Sequence, residues 1–368
     1  MPAPPDDVAP LLAAGQVLRH RIDGWLTAPG IDPVQVIVGD VTGSLSSDRI
    51  HRREAQCTVL GVDGGPLPAE LTVRRGQSLW LAKQVMDPAG RWHEAPLGAF
   101  RVTRMARDGD RPWQVTGKSF ECVLGRAKFL AKRDIPAMGA VSAVRLLVDE
   151  IFPDVPVTVA AGVEDESASK RTYDANTSWW DAIEDYALIA GGELWCPPGG
   201  GFTLGPVPDI TTAEPDWFAD DGANLVSRQV DWDEDRTANV VRVEDADTGS
   251  VGIAADLMAG SPTYVGDSGV RLVTGRRGAA GSEGYRILGD TLEVQAATTD
   301  AARRAAAARL RQLQARAGGV TFEVLDQPWA DVYDIVGVRH RDGVTGHLIT
   351  GLPLSGSSPG TVTPDSTA

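Results

Sequence analysis

Cysteine is scarce in this chain: three in 368 residues, Cys57, Cys122 and Cys196. They lie far apart, form no CxxC pair and are odd in number, so they are expected as buried thiols in a reducing compartment rather than as a disulfide framework. No apolar run approaches the roughly 18–20 residues that a membrane-spanning helix needs. The opening MPAPPDDVAP has neither a basic region nor an apolar stretch, so no secretory signal is read there. The chain is expected to be cytosolic when made. Basic charge is also short: 35 Lys+Arg stand against 50 Asp+Glu, a net charge of −15. Nucleic-acid binders need a basic footprint, so that class is disfavoured.

The acidity is local. Residues 151–260 carry 5 basic against 22 acidic side chains, whereas residues 261–368 carry 11 of each. Such a stretch is a solubilising face or, more sharply, a wall past which DNA slides without sticking. Apolar content of 42% suffices for packed cores, and the length calls for two or three domains. Glycine and proline together number 41 + 24 = 65, which favours many short strands.

Three parts follow from the pattern. Residues 1–120 read as strands over 16–26, 34–38, 49–60, 71–86, 97–105 and 113–116, punctuated by turns such as Asp63-Gly64-Gly65 and Asp87-Pro88-Ala89-Gly90. Antiparallel strands at this spacing predict a barrel or sandwich. Residues 121–215 read as α+β, with helices over 121–130 and 141–152, the second stopped by Pro153. Residues 216–356 return to β. A hairpin is expected with Asn239–Glu244 and Ser250–Ala254 as its arms, loops over 264–291, and a helix over 299–317 closed by Gly318-Gly319. The arginines of that helix are read as solvated, with its Ala and Leu face on a sheet. Strands are expected over 320–325, 333–339 and 346–351. Residues 357–368 read as a flexible tail.

The most informative stretch is Ser178–Pro206. Ser178 and Asp181 form a capping-box pattern, and Trp179, Ile183, Tyr186, Ala187 and Ala190 recur at helical spacing. Gly191 and Gly192 end the helix, and a hairpin follows across Pro197–Gly201. Of Trp179 and Trp180, only one can face the core squarely; the other is free for a neighbouring domain or subunit.

The search for chemistry finds no catalytic, cofactor-binding or metal-ligating residue to assign. Gly266-Asp267-Ser268-Gly269 looks like a serine nucleophile loop, but none of His20, His51, His93, His340 and His347 lies in a partner motif. Gly356-Ser357-Ser358-Pro359-Gly360 matches GxSxG outside the strand-to-helix turn that motif needs. Asp231, Asp233, Glu234 and Asp235 cluster without the central glycine and distant glutamate of a calcium loop; a solvated turn is favoured over a weak divalent-cation site. Gly199-Gly200-Gly201 reads as a hairpin turn rather than a phosphate cradle.

Four blocks carry a family resemblance: Gly39-Asp40-Val41-Thr42 running into Arg52–Val59; Ala95-Pro96-Leu97-Gly98-Ala99-Phe100-Arg101-Val102; Trp113–Phe120; and the helix and hairpin of Ser178–Pro206. In these the chain resembles minor tail proteins of actinobacterial siphophages that form the tail hub. Gln327–Val336 looks like that family's loop-then-strand, except that Tyr333 stands where the family often has glycine. The resemblance implies a mainly β fold, two tube-type β-barrel or sandwich domains flanking an α+β domain. It also implies a non-enzymatic structural virion protein at the tail tip, assembled in the host cytoplasm. The implied form is a homotrimer that joins a sixfold tail tube to a threefold tip and lines part of the DNA channel. Its implied partners are the tail tube or distal tail protein, tail-tip or fibre proteins, and passing DNA without specific binding. No cofactor is implied. Alternatives are a hub or spike component of a contractile injection system, a tail-borne cell-wall hydrolase and, more distantly, a stand-alone carbohydrate-binding β protein.

Overall fold

The computed structural model describes the chain except residues 1–4, 6–7, 15–17, 48–49, 63, 74–75, 154, 211–212, 221–222, 233–238, 246–248, 256–288, 295, 326, 341–342, 356–360, 363–364 and 368. The chain is mainly β. After a short helix α1 (Ala9–Ala13) come β1 (Arg19–Ala28), β2 (Ile31–Ser46), β3 (Arg53–Gly61), helix α2 (Ala69–Val73), β4 (Ser78–Met86), β5 (Trp92–Ala106) and β6 (Trp113–Lys118). The strands pair in the order β1-β4-β5-β6-β3-β2, and β1 also pairs with β2, so the six close into an antiparallel barrel. Closure leaves no free edge for foreign strands. All six expected strands are present, but the expected strand over 71–86 begins later, because Ala69–Val73 forms a helical turn first.

Alternation fills the barrel. Leu26, Val36, Val59, Leu79, Leu81, Phe100 and Val115 point inward and are buried. The Pro96–Phe100 motif has a steric reason. The β4–β5 ladder slips between Leu81 and Ala82, opposite Gly98 and Pro96. Gly98 has φ +153, and a Cβ there would lie 2.8 Å from the Phe100 ring. Only glycine lets that ring fold over its own strand.

Strand β2 is long because it serves two units. Its first half pairs with β1 and β3; Asp40, at φ 50, makes a bulge; Thr42–Ser46 then pair with Gly351–Ser355 as well as with β3. The partner strand is β21 (Gly343–Ser355), part of a second β unit. That unit also holds β14 (Trp217–Asp220), β15 (Leu225–Trp232), β19 (Gly318–Leu325), β20 (Ile335–His340), β22 (Thr361–Val362) and β23 (Asp365–Thr367). Its order is β15-β19-β23-β21-β20-β14, with β22 on β19, and no pairing joins β14 to β15. Asn224 bridges that seam, accepting from the Asp220 N–H at 2.7 Å and donating to the Phe218 carbonyl at 3.0 Å. One continuous hydrophobic core runs through both β units, from Leu26 and Phe100 to Phe322, Val338 and Leu348. Residues 361–362 and 365–367, within the stretch read as a tail, add short strands to the sheet beside β19 and β21.

The middle unit comprises α3 (Glu121–Arg126), β7 (Arg133–Ile135), β8 (Met138–Gly139), α4 (Ala140–Asp149), β9 (Val157–Val159), β10 (Ser167–Ala168), β11 (Arg171–Tyr173), α5 (Trp179–Ile189), β12 (Glu193–Trp195) and β13 (Phe202–Gly205). The capping box of α5 forms as read: the Ser178 hydroxyl accepts from the Asp181 N–H, and the Asp181 carboxylate from the Ser178 N–H. The hairpin pairs Leu194 with Leu204 and adds β9 in parallel. Trp180 is buried. Trp179 lies half-exposed against Phe129, 4.2 Å between ring centroids, so its neighbour is within the same unit. The first helix is shorter than expected: Ala127 is already extended.

Packing divides the last third differently from the sequence expectation. The hairpin β16 (Val240–Glu244) and β17 (Val251–Ala255), joined by β18 (Gly289–Glu293), forms a separate three-stranded sheet under helix α6 (Thr299–Ala317). Val241, Val243, Ala301, Ala302, Ala305 and Leu310 join the core of α4 and α5, not that of the second β unit. The alanine-rich face explains the choice, since small side chains let α6 lie directly on β17. A Cβ at Gly252 would meet Ala302 backbone at 2.1 Å. The expected loop over 264–291 lies outside the described residues up to 288, and 289–291 belong to β18.

Candidate functional junction

Two arginines at the start of β3 organise the meeting of the three units. Arg52 directly precedes β3 and Arg53 begins it, and both are buried, at 7% and 4% exposure. Arg52 forms an ion pair with Glu193 of β12, and its guanidinium lies 4.6 Å from the Trp195 ring centroid and 4.3 Å from that of Tyr333. The second Glu193 oxygen accepts from Gln312 of α6 at 3.1 Å. Arg53 pairs with Asp331, in the loop before β20. Glu121, in the first turn of α3, accepts the Cys196 N–H at 2.7 Å. The first barrel, the middle unit and the second β unit therefore share one buried network.

Burial sets the electrostatics. It pushes the Glu121 carboxyl above the usual carboxylate range, against hydrogen bonds from Ser119 and the Cys196 N–H. It pulls the Arg52 guanidinium down, against the neighbouring acids. Asp334 is pushed up to about 8 by burial and by the charges of Asp331 and Asp216. Buried pairs of this kind contribute little net stability, because desolvation offsets attraction, but they penalise any arrangement that separates the partners. The junction thus fixes how the units sit on one another.

The acidic stretch is partly neutralised in space. Arg304 of α6 donates to both Glu164 and Glu166 at 2.8 Å, and Arg309 pairs with Asp290 at 3.1 Å. Of the arginines expected to be solvated, Arg304 ties the helix to the acidic unit and Arg309 ties it to β18, while Arg303 is largely exposed beside Asp300. A cavity of about 550 Å³ opens beside them, lined by Asp174, Asp181, Glu184 and Asp185 among others. Burial raises Asp185 to about 6, opposed by Arg171 and by the Tyr173 hydroxyl that donates to it at 3.2 Å.

The three cysteines are free and buried. Burial pushes Cys57 up to about 12 and Cys122 up to about 11, and raises Cys196 as well, so none is a ready thiolate. Among the described residues, no group of three His, Cys, Asp or Glu side chains is placed to hold a metal ion, and no helix is long and apolar enough to cross a membrane. The Gly266–Gly269 and Gly356–Gly360 motifs and residues 233–235 lie outside the described residues. Gly199–Gly201 is the hairpin turn that the sequence suggested.

The sequence reading missed the junction. Its one signal was the adjacent pair Arg52-Arg53 inside an otherwise alternating strand. Tyr333, expected to begin a strand, instead has φ +74, and the strand starts at Ile335. That left-handed backbone is a glycine conformation, so the departure from the resembling pattern at this position places an aromatic ring where a bare turn would suffice.

No family model and no curated protein matches the chain. Solved structures do. The tail protein from Neisseria meningitidis MC58 superposes with a TM-score of 0.61 at 12% identity, over 95% of this chain and 97% of that one. The 43 kDa tail protein of prophage MuSo2 from Shewanella oneidensis gives 0.58 at 11%, over 94% and 98%. Prophage tail protein gp18 from Listeria monocytogenes EGD-e gives 0.53 at 10%, over 94% of each. Over nearly its whole length, the chain has the fold of these phage tail proteins.

Proposed function

We propose that this chain is a structural virion protein, a tail hub that joins the sixfold tail tube to the threefold tail tip and forms part of the DNA channel. The observation that carries the reading is the pairing of two β units through β2 and β21, with the α+β unit set against both. Residues 1–120 supply one tube-type unit. The second is built from β14, β15 and β19 to β23, and the middle unit gains β16, β17, β18 and α6. Three copies would place six such units around an axis. The edges of β14 and β15 that have no partner strand among the described residues then find neighbours, which removes an aggregation hazard and accords with closed cyclic symmetry. The role is architectural and non-enzymatic. It calls for the tail tube or distal tail protein and a tip or fibre protein as partners, in a siphophage tail tip, with assembly in the host cytoplasm. The acidic middle third suits a wall that passing DNA does not grip.

Light scattering on the purified protein, with negative-stain class averages of the same peak, tests this reading. A threefold ring with a central hole is the expected result. A monomer that stays monomeric when mixed with purified tail tubes, and does not bind their ends, would sink it.

A further inference from the structure

We propose that an open pocket between the β12–β13 hairpin and the Asp331–Asp334 segment receives an arginine side chain presented by a partner polypeptide. The pocket holds about 440 Å³, within the range of sites that take small ligands. Its walls include Pro96, Pro197 and Pro206, with the half-exposed Trp195. Prolines present rigid apolar surface without N–H donors, which suits the aliphatic stem of a long side chain. The acid is at one end. The Asp331 charge is matched by Arg53, whereas Asp334 accepts the Asp331 N–H at 2.8 Å and pairs with no Lys or Arg among the described residues. Tyr333 is in the same lining, 8% exposed. The pocket therefore offers an aromatic wall beside a carboxyl that no Lys or Arg among the described residues pairs with.

Those features select a guanidinium. It is planar, stays charged, stacks on aromatic faces and pairs with carboxylates through two donors. A metal ion is a poor fit, since no three ligand side chains converge among the described residues. Once Asp334 ionises, above about pH 8, its charge favours a basic segment of a partner over an acidic one. Because the hairpin and the Asp331–Asp334 segment belong to different units, an inserted arginine would also bridge them. The pocket's chemistry is the same whether or not the chain forms a ring.

The test titrates the full chain at pH 9, where Asp334 is ionised, with two blocked tripeptides, alanine-arginine-alanine and the same peptide with citrulline, by ligand-observed NMR. The arginine peptide should bind with a Kd of about 1 mM, and about tenfold more tightly than the neutral citrulline isostere. Asp334→Asn should weaken arginine-peptide binding about tenfold and leave the citrulline peptide unchanged. Equal binding of the two peptides to the wild-type chain overturns the proposal without reference to any variant. Unchanged binding by a folded Asp334→Asn also overturns it. Tighter binding of spermidine than of the arginine peptide would reassign the pocket to a small polyamine and overturn the polypeptide assignment.

Discussion

Replacing Arg52 with Met should separate the roles of charge and packing at the junction. Arg52 carries the ion pair to Glu193 and lies over two aromatic rings, Trp195 and Tyr333. Met keeps an unbranched apolar stem but removes the guanidinium and its charge. Glu193, whose side chain is 12% exposed, then keeps Gln312 as its remaining side-chain partner. Breaking one side of a buried pair costs about 3–5 kcal/mol, chiefly because the other charge is left unpaired. The lost ring contacts contribute about 0.5–2 kcal/mol each and overlap with that figure. A cooperative unfolding entropy of about 2.1 cal/mol/K per residue, over 368 residues, gives about 0.8 kcal/mol per degree. A cost of about 4 kcal/mol therefore lowers Tm by about 5 °C. The double variant Arg52→Met with Glu193→Gln removes the orphaned charge and should recover more than half of the loss. Thermal unfolding at low and at about 0.5 M salt checks this, since a buried pair is little screened. A drop below about 1 °C for the single variant, or no recovery in the double, would refute the assignment of a desolvated, orientation-setting pair.

Two further outcomes follow from packing and from titration. Gly252→Val should destabilise by about 2–4 kcal/mol and free α6 for proteolysis, because the added Cβ runs into Ala302 backbone; full protection of α6 in limited proteolysis would contradict the close approach. Asp334 holds its proton in the folded state up to about pH 8, whereas an unfolded carboxyl loses it near 3.8. Stability should therefore fall as pH rises from about 4 to about 8, by roughly 2 kcal/mol after allowing for partial solvent exposure. Asp334→Asn should flatten that slope in Tm-versus-pH curves; an unchanged slope would place the titration elsewhere.

Local rules were enough for much of the chain. The Ser178 cap, the α5 stripe, the hairpin across Pro197–Gly201 and the bounds of the 299–317 helix depend on neighbours within a few residues, so their spacing is written in sequence. Turn residues likewise separated the six strands of the first barrel. Burial of the cysteines followed from their type and isolation. Other features depend on partners outside any local window. The chain terminus reads as polar and glycine-rich, yet 361–362 and 365–367 pair with β19 and β21, which no local pattern reveals. The 299–317 helix was legible, but not its packing on β16–β18 and α5, because an alanine face fits any closely approaching backbone.

The junction illustrates the same division. Arg52 with Glu193 and Arg53 with Asp331 are separated by 141 and 278 positions, and desolvation, which makes those charges matter, exists only once the units have closed around them. Composition and periodicity determined a β-rich chain with an α+β centre and an acidic middle. Tertiary structure alone decided which acids are neutralised, which aromatic takes a left-handed turn at Tyr333, and which carboxyl, Asp334, has no Lys or Arg partner among the described residues.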